Sequence, residues 1–260
     1  MKKAVGEGYS GGSGVVGHSA IASARPDGYT IGIVTVEIGM MHHQGLTELN
    51  PTSYTPLALM NEDPPGVQVK ADSPYKTFKD YVEAARKQPG TINYGSTGTG
   101  SSPHLLMEEL AGNAKVQFVH VPFKGNADLQ SALLGGHVMA QSDATGWDKF
   151  VDSGEMRLLV TFGEQRTKRW PDVPTAQDLG YNVVSTSPYG LVGPKGMDPA
   201  IMKTLHDAFK KAMDEPRHQE VLAQLNQAMW YRTGDEYRQW AAETYAKDKA
   251  LIDRLGLGAK

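Results

Sequence analysis

Short apolar runs with β-strand composition alternate with helix-patterned segments through most of the chain, and this alternation limits the fold more than any other feature. Strands separated by helices assemble into parallel sheets covered by helices on both faces. Strand patterns fall at residues 29–36, 91–94, 115–121, 137–142 and 157–162. A helix is expected at 15–24, stopped by the turn Pro26-Asp27-Gly28, and another behind Thr77. There Asp80 completes a capping box, and Phe78, Tyr81, Val82 and Ala85 lie at the spacing of one apolar face. Pro103 suits the first helical position after a Ser102 cap, and residues 127–134 form a helix closed by Gly135-Gly136. A short helix is expected at 146–151. The last third is helical: Ile201, Leu205, Ala208, Phe209 and Ala212 form one face, and Val221, Leu222 and Leu225 another. After a short strand at 229–232, Thr233 and Glu236 form a second capping box. The helix behind it carries Tyr237, Trp240, Ala241, Leu251, Ile252 and Leu255.

Composition narrows the function classes. The 260 residues suffice for one large domain or two ordinary ones. With 40% hydrophobic and 21% charged residues the chain is expected to fold, and a net charge of −3 argues against a nucleic-acid partner. The absence of cysteine excludes disulfides, a thiolate nucleophile and a zinc ribbon. No apolar run approaches the roughly eighteen residues needed to span a bilayer; the best stretch, 29–41, contains Glu37 and two glycines. Met1-Lys2-Lys3 looks like the start of a signal peptide, but no apolar segment follows, so the chain as given is read as carrying no export signal.

Three groups of residues invite a chemical reading. Gly8-Tyr9-Ser10-Gly11-Gly12 matches the nucleophile elbow of a serine hydrolase, and Gly6, Gly8 and Gly11 match the dinucleotide fingerprint. Both motifs require a preceding strand, and only a few residues are there to form one. The loop from Gly95 to Ser102 has better context, with a strand before it and a proline-initiated helix after. Its glycines admit a ligand to the backbone, while Ser96, Thr97, Thr99, Ser101 and Ser102 supply hydroxyls. A helix N-terminus beyond Gly100 adds free N–H groups and positive potential, which suits a carboxylate or small oxyanion. No lysine follows Gly100, so this is not a nucleotide-triphosphate loop. The bland alternative is a flexible connection. His104, one turn into the helix, is placed to bond a ligand. Asp143 ends a strand at the carboxyl edge where open sheets bind ligands, and a structural role for it is equally open. The eight histidines show no metal-binding spacing, and Glu108-Glu109 and Asp214-Glu215 read as solvated helix surface.

Five segments occur in a telling order: ARPDGYTIGI (24–33), INYGSTGTGSSPHL (92–105), VHVPFKGNADLQSALLGGHV (119–138), PDVPTAQDLGY (171–181) and YGLVGPKGMDPAI (189–201). Together they resemble the TctC/Bug family, the extracytoplasmic solute-binding proteins of tripartite tricarboxylate transporters. The resemblance runs from about Gly11 to the C-terminus. It implies a periplasmic-binding-protein-like α/β fold of two lobes joined by two crossing segments, near residues 61–65 and 185–189. Domain 1 would be residues 1–63 plus 187–260, and domain 2 the inserted residues 64–186. It further implies a small organic acid, such as a di- or tricarboxylate or an aromatic carboxylate, held in a cleft that closes as a hinge.

On this resemblance the glycine–serine loop is the carboxylate loop of domain 2. Ser96, Thr97, Thr99, Gly100, Ser101 and Ser102 are candidate contacts, with His104 behind them and Asp143 and Tyr189 at the cleft edge. The implied partners are the ligand and the transporter's membrane subunits. No enzymatic step, cofactor, metal or nucleic acid is implied, and the protein would be a periplasmic monomer. Two features depart from the pattern. The chain starts at what resembles the family's GAGGxxG stretch (Gly11 to Gly17), so the first strand–helix unit of lobe 1 is expected to be missing. In addition, Glu37 follows the strand at 29–36. A carboxylate facing the cleft would repel an anionic ligand unless protonated or paired, or would select an amine or hydroxyl. The alternatives are a serine hydrolase using Ser10 and a truncated homologue that binds nothing.

Overall fold

A computed structural model describes residues 14–259. In chain order its elements are α1 (Val15–Ala22), β1 (Gly32–Val34), β2 (Tyr54–Asp63), β3 (Gly66–Lys70), α2 (Phe78–Lys87), β4 (Asn93–Ser96), α3 (Ser102–Ala114) and β5 (Val119–Pro122). There follow α4 (Asn126–Leu134), β6 (Ala140–Asp143), α5 (Asp148–Asp152), β7 (Met156–Thr161), β8 (Ser187–Pro194), α6 (Pro199–Met213), α7 (Pro216–Gln224), β9 (Ala228–Thr233) and α8 (Gly234–Leu255). They divide into two compact units. Unit 1 takes the chain up to Asn61, Pro188–Gln219 and the residues from Met229 on; unit 2 takes Glu62–Ser187 and Glu220–Ala228. No helix among the described residues is long and apolar enough to cross a membrane.

Unit 2 is built on a five-stranded sheet in the order β5-β4-β6-β3-β7. β4 runs parallel to β5 and β6, and α3 is the crossover between β4 and β5. The fully parallel sheet expected from the alternation is not what forms, because β3 lies antiparallel between β6 and β7. A helical crossover sets direction only for neighbouring strands that it joins. β3 pairs with two strands far along the chain and is joined to neither by a single helix. The α2 capping box closes as the sequence predicts: Asp80 N–H donates to the Thr77 hydroxyl, and the Thr77 N–H donates to the Asp80 carboxylate. Phe78, Tyr81, Val82 and Ala85 are all buried, and they pack into the unit 2 core with Val67, Tyr94, Met107 and Leu110. Each large apolar side chain removed from water there contributes roughly 1.5–3 kcal/mol.

Unit 1 carries a four-stranded sheet, β1-β8-β2-β9, with β1 antiparallel to β8. Its core joins Ile21 of α1, Val34, Tyr54, Leu59 and Val192 from the sheet, and Tyr237 and Ala241 from α8. Tyr237 packs so closely on β8 that a Cβ on Gly190 would lie 2.0 Å from its hydroxyl oxygen. The Thr233/Glu236 box caps α8.

Several local expectations shift. The strand read at 29–36 shrinks to Gly32–Val34; Tyr29 is 88% exposed, and Val36–Gly39 is a 3-10 turn. β4, β5 and β6 each begin two to four residues later than their patterns suggest. α3 is capped by Ser101, one residue earlier than predicted. On α6 and α7 the apolar faces are only partly covered. Ala208, Ala212, Val221 and Leu225 are exposed, while Leu222 is buried. β2, β3 and β8 carry no clear strand signal, because Pro56, Pro188 and the glycines of β8 interrupt the pattern and β3 is only five residues long.

Candidate functional site

The glycine–serine loop leaves the carboxyl end of β4 and enters α3. Gly98 and Gly100 adopt φ of +136° and +76°, a region open to glycine at little cost. The Gly98 carbonyl is the knot of the loop. It accepts from the Ser96 hydroxyl (3.1 Å), the Ser101 hydroxyl (2.8 Å) and the Ser101 N–H (3.3 Å). Ser101 is the N-cap of α3, yet with its hydroxyl turned back to Gly98 it makes no side-chain cap. The Ser102 and His104 N–H groups of the first turn, where Pro103 has none, therefore carry no side-chain cap, and N–H groups in that position favour an anion.

Beneath the loop lies a histidine pair that the sequence reading only half identifies. The Gly100 N–H donates to His104 Nδ1 (2.9 Å), which leaves the neutral ring's proton on Nε2. The rings of His104 and His120 stack at 3.8 Å and 15°. His120 Nε2 is hydrogen-bonded to Ser96 Oγ at 2.7 Å. Burial lowers both pKa values. That of His120 falls to about 4, with His104 adding a smaller push in the same direction. Both rings are thus neutral at pH 7 and act as fixed hydrogen-bonding struts. His120 belongs to no motif, standing alone between Val119 and Val121; its one sequence signal is a polar residue inside an apolar β5, next to the loop's own strand.

The predicted loop residues consequently divide by environment. Ser96 is fully buried, the half-buried Ser101 turns its hydroxyl into the loop, and His104 is buried behind them. Thr97 and Ser102 are half-buried and Thr99 is exposed. Asp143 closes β6 in the same unit, opposite Gly66 of β3. Its Oδ1 accepts from the Ala144 N–H (2.8 Å), while Oδ2 is buried without a hydrogen-bond partner. Burial, with a lesser contribution from the charge of Asp63, raises its pKa to about 7. The residues that follow it line a pocket of about 230 Å³ in unit 2, together with Asp63, Trp147, Asn226 and Gln227. Glu37 and Tyr189 belong to unit 1 and are half-buried; Glu37 sits in the 3-10 turn after β1 and Tyr189 on β8. Ser10 and the glycine motifs around it lie outside the described residues. Among the described residues no group of three or more His, Asp or Glu side chains is arranged to hold a metal ion.

The structure is similar to that of a TctC solute-binding protein from Polaromonas, with a TM-score of 0.81 and 28% identity over 94% of this chain and 84% of that one. A protein of R. palustris with adipate shares the fold at a TM-score of 0.83, with 22% identity over 96% of this chain and 85% of that one. The fold is thus that of a periplasmic-binding-protein-type solute receptor. The family profile of the tripartite tricarboxylate transporter receptors, TctC, matches residues 3–257, and the chain belongs to that family. In sequence it is also 44% identical to a UPF0065 protein in the gbd 5′ region of Cupriavidus necator, over 95% of this chain and 76% of the relative.

Proposed function

We propose that the protein captures a small organic carboxylate on the Gly95–Ser102 loop and delivers it to the membrane subunits of a tripartite tricarboxylate-type transporter, performing no covalent chemistry. The observation that carries this reading is the uncapped first turn of α3, held open by the Ser101–Gly98 hydrogen bond. Thr97, Thr99, Gly100 and Ser102 contact the ligand; Ser96, Ser101 and His104 shape the loop. Asp143, whose pKa burial raises to about 7, offers a proton to a ligand carboxylate. The two units act as the two lobes of a monomeric receptor that works in the periplasm, as befits its family. That a similar fold is recorded with adipate makes a dicarboxylate the first ligand to try.

Thermal unfolding against C4–C8 dicarboxylates, citrate, aromatic acids and acidic amino acids tests this. A ligand at 100 times its Kd stabilises the native state by about 2.7 kcal/mol, a rise of several degrees in Tm. A selective rise that Thr97→Ala and Ser102→Ala diminish is the expected result. A flat panel, or an ester hydrolysed in a manner abolished by Ser10→Ala, overturns it.

A further inference from the structure

Unit 1 holds a pocket of its own, about 320 Å³ in volume. Val34, Ile38 and Val192, with Tyr237 and Ala241 of α8, line it; all five are 6% exposed or less and belong to the packed core. Lys195, which follows β8, and Arg238 of α8 stand at its rim. Arg238 is paired with Asp235 at 2.7 Å, whereas Lys195 enters no ion pair among the described residues.

These features specify a ligand class. At about 30 Å³ per water the pocket has room for roughly ten water-sized groups, and apolar walls give such waters few partners. An aliphatic chain suits the walls, where a second charge would be desolvated without compensation. At the rim one unpaired ammonium calls for one anion. We propose that unit 1 binds a medium-chain monocarboxylate of about ten non-hydrogen atoms, as in octanoate, with its tail in this pocket and its carboxylate at Lys195. The site is separate from the Gly95–Ser102 loop, and the proposal stands whether or not that loop binds its own ligand.

Titration calorimetry of the full chain with octanoate tests it, with suberate, the dicarboxylate of equal chain length, as the control. Octanoate should bind saturably, at least tenfold more tightly than suberate, and saturating adipate should leave its Kd unchanged. Lys195→Glu should weaken octanoate binding about tenfold. Ala242→Trp, at an exposed position lining the pocket, should abolish it by filling the space. Both substitutions should leave any response to adipate intact, and circular dichroism checks that each variant is folded. Absence of saturable octanoate binding overturns the proposal. So does equal affinity for suberate, competition by adipate, or indifference of octanoate binding to both substitutions.

Discussion

Replacing Asp143 by asparagine should make the protein more stable at pH 8 and leave it nearly unchanged at pH 4. The carboxyl group is 4% exposed, and its pKa rises from 3.8 to about 7, chiefly by burial. A raised pKa means that the native state holds the proton more tightly than the unfolded chain. Stability is therefore fullest below pH 3.8 and falls as pH rises through 7, the reverse of a salt-bridged carboxylate. At 1.36 kcal/mol per pH unit across that window, the loss is on the order of 4 kcal/mol. An asparagine carries no charge to bury, and its Oδ1 keeps the bond from the Ala144 N–H. Against this stands about 1 kcal/mol for new amide donors without partners. The net gain at pH 8 is then about 3 kcal/mol. Urea denaturation from pH 4 to 8, followed through tryptophan fluorescence, to which Trp147 and Trp170 of unit 2 contribute, measures the difference. It should grow between pH 4 and 7 and level off above. A difference that is flat with pH, or that grows toward acid, refutes the assignment of a buried, protonatable Asp143.

His120→Phe keeps the stack on His104 but removes the hydrogen bond with Ser96; the loop should loosen and adipate affinity fall roughly three- to tenfold by calorimetry, the equivalent of one hydrogen bond. Gly190→Ala forces a Cβ to within 2.0 Å of the Tyr237 hydroxyl and should cost about 1–3 kcal/mol, read as a lower urea midpoint for unit 1. Thr77→Ala removes one half of the α2 capping box and should destabilise unit 2 by about 1 kcal/mol in the same assay.

The parts of this fold that are readable from sequence are those encoded locally. Thr77 with Asp80, and Thr233 with Glu236, announce their helices because capping chemistry acts over three residues. The Gly95–Ser102 loop was legible for the same reason, since strand, glycines and proline-led helix are contiguous. What stayed hidden depends on partners distant in the chain. β3 is a five-residue strand whose direction is set only by β6 and β7. Ser96 looks like a ligand hydroxyl until Gly98 and His120 are placed around it. Val221 and Leu225 look like core beside Leu222, yet of the three only Leu222 is buried.

The inverted strand β3 also imposes a schedule. Val67 faces Ser142 on one side and Val160 on the other, so neither edge of the strand can be satisfied until most of unit 2 exists. At about 5–20 residues per second, the ribosome needs roughly 4–18 s after Lys70 to supply those neighbours. Through that interval a short valine-rich segment is open on both edges, while β4, α3 and β5 can already close on one another. The β3–β7 side of the unit 2 sheet is the last part to be assembled, and the chain is most exposed to mispairing just before Thr161 arrives.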